Sequence, residues 1–303
     1  MTKDTLKQGQ EGKSSGCPFH TKTSADTENY RPLEDSIHQD FDDEMSYGDY
    51  LKLEQILSAQ KPISNEHDEM LFIVIHQSSE LWLKLAGHEL QRALEHIKSA
   101  NFGPAFKVIA RVKQIFLQLT QSWNILSTLT PSDYLKFRDD LGRSSGFQSY
   151  GYRKLEFLLG NKNADMLNIH KTNSNAYREL SQLLNQNSLY DEVIIALANA
   201  GFAIDDNVIR RDVTQPYQRN ESVLAAWLNV YQQPDTYFEL YELAEKLVDI
   251  EDAFQQWRFK HMYTVQRIIG YKQGTGGSSG VGFLKKALDI SFFPELFEVR
   301  THL

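Results

Sequence analysis

The sequence is poor in cysteine and lacks long apolar runs. Of its 303 residues only Cys17 carries a thiol, so no disulfide framework can form within the chain. The longest wholly apolar run, Met70 to Ile75, is far shorter than the roughly 20 residues of a membrane-spanning helix. The N-terminus also lacks the apolar core of a secretory signal. We therefore expect a cytoplasmic protein that does not enter the membrane.

Basic residues are also fewer than acidic residues. The chain has 32 Lys and Arg residues against 40 Asp and Glu residues, which gives a formal net charge of -8. The basic residues are scattered, and no cluster forms the footprint that binds a phosphate backbone. This charge balance predicts that nucleic acid is not a partner.

Apolar residues make up 41% of the chain, enough for a sizeable core, but they are unevenly distributed. Residues 1–40 are rich in Lys, Ser, Thr, Gly, Asp and Gln, and they have too little apolar surface to offset the entropy of ordering. We predict a flexible polar leader over 1–40, in which Cys17-Pro18 is part of a solvated tail. Residues 41–303 are expected to form a single all-helical domain.

Helical periodicity dominates the predicted domain, and no convincing strand is found. A long helix is predicted from an N-cap at Asn65 to about residue 100, with apolar residues on two faces, as in a helix inside a bundle. A second long helix is predicted from Pro234-Asp235 to about Ile268. Shorter helices are predicted over 46–60, 104–127, from Thr130-Pro131, 150–159, 173–200 and 220–231.

Two histidines lie on apolar stripes of the long helices. His76 belongs to the first helix, and His261 continues the seam of Leu247, Phe254 and other apolar residues in the second. Each imidazole is expected either to be a hydrogen-bonded core group or to face a cavity as a ligand of the kind that haem iron takes. Spacing alone leaves both interpretations open.

A glycine-rich loop, "GTGGSSGVG", follows the second long helix at residues 274–282. No strand precedes it and no G-K-[ST] occurs, so a nucleotide site is not predicted. The loop is either a plain connection or a lid over a small ligand. Similarly, Tyr134 and Arg138 lie four residues apart on one helix face, where the arginine is either solvated or a fork for a carboxylate.

Long stretches of the chain resemble the tryptophan 2,3-dioxygenase family of bacteria. These stretches are "YGDYLKLEQILSAQ", "HDEMLFIVIHQSSELWLKLAGHEL", "LTPSDYLKFRDDLGRSSGFQS", "YRKLEFLLGNKN", "LVDIEDAFQQWRFKHMYTVQRIIGYKQGTGGSSGVGFL" and "FFPELFEVRT". They span nearly everything from residue 45 onward, with a looser match over 165–235. The resemblance implies an all-α helical bundle with long central helices, an oligomeric state, and a haem pocket between helices.

The resemblance implies a haem-dependent dioxygenase that inserts both atoms of O2 across the indole 2,3-bond of L-tryptophan. The product is N-formyl-L-kynurenine. This reaction is the first step of tryptophan catabolism by the kynurenine route. Haem b, with ferrous iron in the active state, is the implied cofactor. Three alternatives are an indoleamine 2,3-dioxygenase-like enzyme of broader specificity, a non-catalytic haem protein, and a bundle without a cofactor.

The resemblance also assigns roles to residues near the two histidines. His261 would be the metal ligand that holds the haem iron, and His76 would accept a hydrogen bond from the indole N–H. Phe72 would pack on the substrate ring. Arg138, helped by Tyr134, would bind the substrate carboxylate.

Further roles fall on the loops and on a neighbouring subunit. Thr275 would meet the ammonium and carboxylate of the substrate. The haem would be lined by Ser145, Gly146 and Trp123. The resemblance implies a homotetramer, a dimer of dimers, in which the N-terminal helix completes the neighbour's site through Tyr47, Tyr50 and Leu51.

Overall fold

The protein is all-α over the range that the computed structural model describes, residues 31–303. That range contains thirteen α-helices and four short 3-10 helices, and no β-strand occurs within it. The predicted fold class is confirmed. Residues 1–30, including Cys17-Pro18, lie outside the described range, so the leader stays a prediction. Between residues 31 and 303 no helix combines the length and the apolar character needed to cross a bilayer.

The chain divides into two compact units, residues up to 57 and residues 58–303. The described part of the first unit contains α1 (Tyr47–Leu51) and α2 (Leu53–Leu57). The prediction of one helix over 46–60 was therefore wrong. Ser46 starts α1 through a capping box with Asp49, but Lys52 adopts a left-handed conformation with φ 53° and ends the helix after five residues.

The second unit is built around three long helices. Its helices are α3 (His67–Lys98), α4 (Phe102–Leu126), α5 (Pro131–Phe137), α6 (Tyr150–Leu159), α7 (Ser174–Leu184), α8 (Leu189–Asn199), α9 (Asp206–Ile209), α10 (Glu221–Gln232), α11 (Phe238–Ile269), α12 (Val281–Ala287) and α13 (Pro294–Glu298). Four 3-10 helices cover Asp139–Leu141, Gly146–Gln148, Ala164–His170 and Val299–Thr301. Because α4 packs against both α3 and α11, these three helices form the centre of the bundle, with α6 and α8 against α3.

The start of α3 differs from the predicted Asn65 cap. Glu66 is the N-cap, and its side chain makes no capping hydrogen bond. Instead the buried Glu69 carboxylate accepts hydrogen bonds from the backbone N–H groups of Ile63 and Ser64, each at 2.8 Å. An acidic side chain in the first turn, where the helix dipole favours negative charge, thus fixes the chain that enters the helix.

Helix α11 carries the apolar seam that the sequence predicts. Its Phe254 packs edge-to-face on Phe116 of α4, with ring centroids 4.8 Å apart, and both side chains are fully buried. The helix begins at Phe238, later than predicted, because residues 234–237 form a turn onto the Gln233 carbonyl. It ends at Gly270, whose positive φ of 61° ends the helical conformation and turns the chain toward the glycine-rich loop.

Other boundaries differ where short polar segments interrupt an apolar pattern. The helix predicted over 173–200 is two helices, because Ser188 begins α8 with a new capping box to Asp191. Helices α12 and α13 are not among the predicted elements. The start of α5 is as predicted: Pro131 is its first residue and the Thr130 side chain accepts from the Asp133 N–H.

Candidate active site

A cavity of about 450 Å³ opens between the central helices and the glycine-rich loop. This volume is within the range of small-molecule sites in proteins. Nine of the predicted site residues contribute to its lining: Phe72, His76, Trp123, Tyr134, Arg138, Ser145, Gly146, His261 and Thr275. Residues that are up to 200 positions apart in the sequence therefore meet in one place.

His261 faces this cavity from α11. Its ring stacks on Trp123 of α4, with centroids 4.5 Å apart and planes 10° apart, and it lies 5.9 Å from the Trp257 ring one turn earlier. Within residues 31–303 no hydrogen-bond partner is present for the imidazole. Burial, with the nearby His76 as a lesser cause, lowers the pKa of His261 to about 4. The imidazole is therefore neutral at pH 7, the form that binds a metal ion.

His76 presents the opposite imidazole, from α3. Its Nδ1 lies 2.7 Å from the carbonyl oxygen of Phe72, which can only accept, so Nδ1 carries the proton and donates. Burial lowers the pKa of His76 below its ordinary value, with small opposing effects from the Phe72 bond and Glu80. The neutral tautomer that results leaves the Nε2 lone pair free to accept a hydrogen bond.

Aromatic side chains form the wall beside His76. The Phe72 ring lies 4.1 Å from the His76 ring, 5.9 Å from Tyr134 and 5.7 Å from Phe137. Tyr134 and Phe137 are in edge contact at 5.4 Å, and both are buried. Burial raises the pKa of Tyr134, so its hydroxyl keeps its proton. The wall is mainly aromatic and apolar, with one hydroxyl donor.

Arg138 directs a partly satisfied guanidinium toward the glycine-rich loop. Its Nη2 donates to the carbonyl oxygen of Gln273 at 2.7 Å. Its Nε is buried and lacks a hydrogen-bond partner among residues 31–303. A planar cation with spare donors at the edge of a cavity suits a carboxylate better than it suits solvent. The geometry thus favours the carboxylate interpretation over a solvated arginine.

The glycine-rich loop is seated on the segment that follows Arg138. The Thr275 hydroxyl donates to the Ser144 carbonyl oxygen at 2.5 Å. Gly276 approaches Ser145 so closely that a Cβ on the glycine would lie 2.7 Å from the serine Cβ. Only glycine allows this approach, so the loop packs tightly on a segment that also lines the cavity.

The predicted Tyr47, Tyr50 and Leu51 belong to the first unit of the chain. Both tyrosines are largely exposed. Their contribution to a neighbour's site stays a prediction.

Several cavity residues were not predicted from the sequence. Trp257 and Arg258 precede His261 by four and three positions, and they line the cavity with Arg153 and Glu156 of α6. The spacing of Trp257 and Arg258 from His261 is a signal that a sequence search can use, because such residues share a helix face. The pairing of α6 with α11 has no local signal.

Unpartnered polar atoms in the lining mark a place for a large ligand. Within the described part of the chain, Trp123 Nε1, Trp257 Nε1 and Thr264 Oγ1 are buried and have no hydrogen-bond partner. Buried donors without partners are rare in proteins unless a bound group satisfies them. Together with a neutral, unbonded His261, these atoms suit a flat cofactor with an iron centre and polar substituents, as a haem has.

Comparison with known proteins decides the family. The sequence model described as tryptophan 2,3-dioxygenase matches residues 34–185 and 181–303. The chain is 69% identical over 287 residues to a tryptophan 2,3-dioxygenase of Shewanella woodyi, an alignment that covers 95% of this chain and 99% of that protein. The chain belongs to the tryptophan 2,3-dioxygenase family. The family resemblance predicted from the sequence is therefore confirmed.

More distant members of the tryptophan 2,3-dioxygenase family match over similar lengths. A protein of this name from Bacillus thuringiensis subsp. konkukian is 56% identical over 271 residues, covering 89% of this chain and 97% of that protein. Another from Serratia proteamaculans is 55% identical over 277 residues, covering 91% and 99%. The similarity thus extends over almost the whole length of these proteins.

Proposed function

We propose that this chain is a haem-dependent dioxygenase that converts L-tryptophan and O2 to N-formyl-L-kynurenine. Membership of the tryptophan 2,3-dioxygenase family supports the reaction class. The observation that carries the proposal is the meeting of His261, His76 and Arg138 in one cavity. A ligand imidazole, a hydrogen-bond acceptor and a carboxylate fork are the groups that this reaction requires from the protein.

His261 is the proposed iron ligand of haem b. The chemistry that haem supplies when bound is the activation of dioxygen. The protein keeps the imidazole neutral by burial and orients it by stacking on Trp123. Trp123, Ser145 and Gly146 line the same cavity and are proposed to contact the haem. A preoriented ligand loses little entropy on binding.

His76 is proposed to position the indole. Its Nε2 is the free acceptor because Nδ1 is bonded to the Phe72 carbonyl, and the indole N–H is a donor only. Since indole N–H is a poor acid, a positioning hydrogen bond is sufficient and proton removal is not required. Phe72 would pack on the indole ring, a contact worth about 0.5 to 1.5 kcal/mol beyond area burial.

Arg138 and Thr275 are proposed to hold the amino-acid end of the substrate. Arg138 has a spare buried Nε donor, and the Tyr134 hydroxyl keeps its proton beside it. Thr275 brings a hydroxyl from the glycine-rich loop. Because the loop carries one of these contacts, binding of the amino acid favours its closed position, which excludes water from the cavity.

The proposed catalytic domain comprises residues 41–303 of a cytoplasmic homotetramer. We propose a dimer of dimers in which Tyr47, Tyr50 and Leu51 of one subunit complete the cavity of its neighbour. These three residues lie in α1, in the first unit of the chain. An oligomer would thus be part of each site.

The test is single-turnover chemistry on haem-loaded protein. The protein is reduced without oxygen, mixed with L-tryptophan and then exposed to air, while the absorbance of formylkynurenine is followed. The proposal predicts stoichiometric product, and it predicts that a His261→Ala variant gives none without added imidazole. A haem carrier would make no product, and a protein that binds no haem would contradict the proposal at the first step. If indoleamines that lack a carboxylate are turned over as fast as L-tryptophan, the alternative of an indoleamine 2,3-dioxygenase-like enzyme of broader specificity is favoured instead.

A further inference from the structure

A buried cluster of charges lies on the wall of the cavity, apart from Arg138. It consists of Arg153 and Glu156 on α6 and Arg258 on α11, which are 6%, 4% and 4% exposed. The Glu156 carboxylate is shared: one oxygen accepts from Arg153 Nη1 and the other lies 3.2 Å from Arg258 Nη2. Two cations therefore share one anion in the interior.

The guanidinium of Arg258 is largely paired within the protein. Its Nε donates to the Tyr152 hydroxyl at 3.2 Å, and its Nη1 donates to the carbonyl oxygens of Ala287 and Ile290 at 3.0 and 3.1 Å. Every nitrogen of this guanidinium has a partner. Arg258 thus holds Glu156 in place, and four of its five N–H donors are used within the protein.

Arg153 is different, because its side chain has a single hydrogen bond within residues 31–303, to Glu156. Its Nε is buried and has no partner anywhere in residues 31–303. His170 supplies no compensating charge, since an imidazole is either neutral or cationic, and burial followed by Arg153 lowers its pKa. Arg153, Arg258 and Glu156 together carry a net positive charge, and a buried cation that is only partly paired is costly unless a bound anion balances it.

The cluster lies on the iron-ligand side of the cavity. Arg258 precedes His261 by three positions on α11, and Glu156 links Arg153 to it. Arg138 instead bonds the glycine-rich loop at Gln273. The cavity therefore has arginines at two separate positions. The amino acid carries one carboxylate, and the propionate groups of haem b provide the others.

We propose that Arg153 binds a propionate carboxylate of the porphyrin, with Arg258 and Glu156 as the residues that hold Arg153 in position. This inference rests on the proposed function, since it takes haem as the ligand of His261. The cofactor would thus supply the balancing negative charge. Charge pairing at Arg153 would make haem binding depend on the porphyrin carboxylates as well as on the iron.

The test measures binding of two porphyrins to the apoprotein: iron protoporphyrin IX and its dimethyl ester, in which both carboxylates are blocked. A charged hydrogen bond contributes enough to change affinity about tenfold to a hundredfold. The wild type is expected to bind the acid more tightly than the ester by about that factor. Arg153→Gln should lose most of this preference, through weaker binding of the acid and unchanged binding of the ester.

The matched control is Arg111→Gln, which removes an arginine that is also paired with one glutamate, Glu89, but lies outside the cavity. It should keep the wild-type preference for the acid. A wild type that binds the ester as tightly as the acid would overturn the proposal without reference to any variant. So would an Arg153→Gln protein that keeps the full preference, or one that loses affinity for L-tryptophan instead of for the porphyrin.

Failure of the proposed function gives a different result. In that case neither porphyrin binds the wild type, and His261→Ala changes nothing. Failure of the inference alone leaves tight, His261-dependent binding of both porphyrins. Arg153→Lys covers the possibility that Arg153→Gln does not fold: it retains the charge without the fork and should keep part of the preference for the acid. An Arg153→Lys protein that keeps none of the preference shown by the wild type would count against the proposal.

Discussion

Replacing Arg138 with methionine tests the carboxylate fork most sharply. Methionine has a similar length and no donor, so it removes the buried Nε and the Nη2 bond to the Gln273 carbonyl. We expect the substrate carboxylate to take the free Nε and a remaining Nη donor in the wild type. Two charged hydrogen bonds of about 1.5 to 3 kcal/mol each give a loss of about 3 kcal/mol or more.

That loss corresponds to about a hundredfold or more in kcat/KM for L-tryptophan. Tryptamine, which has the same ring and no carboxylate, should be a poor substrate of the wild type by a similar factor, because it leaves the buried cation unpaired. The Arg138→Met variant should treat the two compounds nearly alike. The assay is the initial rate of product formation with each compound, normalised to haem content.

Arg143→Met is the control, since Arg143 is exposed and lies outside the cavity lining. It should retain the preference for L-tryptophan. The reasoning would be refuted if Arg138→Met kept the wild-type preference, or if it lost the same factor against both compounds. The second result would mean that Arg138 supports the fold of the loop and does not contact the carboxylate.

Three further predictions concern the histidines and the loop. His76→Ala should lower kcat/KM without abolishing turnover, because Nε2 positions the indole; complete loss of turnover in a variant that retains haem would contradict this role. Gly276→Ala should raise KM for L-tryptophan about tenfold through its clash with Ser145, while Gly103→Ala, which meets no atom within 4 Å, should not. The apoprotein should lose stability as pH falls from about 6.5 to about 4, because unfolded His261 binds a proton at higher pH than the buried imidazole does. Urea midpoints at pH 7 and 4.5 measure this loss of stability, which should be smaller in His261→Ala than in the wild type. Equal losses in the two proteins would refute His261 as the cause.

The long helices were predictable from the sequence because their cores repeat at helical spacing over many turns. The seam that contains Phe254 and His261 is an example, and its end at Gly270 follows from the backbone freedom of glycine. Lys52 shows the limit. Lys52 has a left-handed backbone conformation that divides one predicted helix into two. The spacing of apolar residues does not predict such a conformation.

The candidate site was predictable residue by residue only through the family resemblance. Apolar spacing placed His76 and His261 on helix stripes, but it did not distinguish packed imidazoles from cavity-facing ones. The charge cluster was not predicted at all. Arg258 and Glu156 are 102 positions apart, and their pairing depends on how α6 and α11 pack. The pairing of a buried charged residue can be predicted from sequence spacing only when its partner lies within a few residues along the same helix.

The central claim is that His261 binds the haem iron from one side of the cavity and His76 does not. Resonance Raman spectra of the ferrous haem-loaded protein test it directly, through the iron–histidine stretching band. The account predicts this band in the wild type and in His76→Ala, and its absence in His261→Ala. A band that persists in His261→Ala, or that disappears in His76→Ala, would contradict the account.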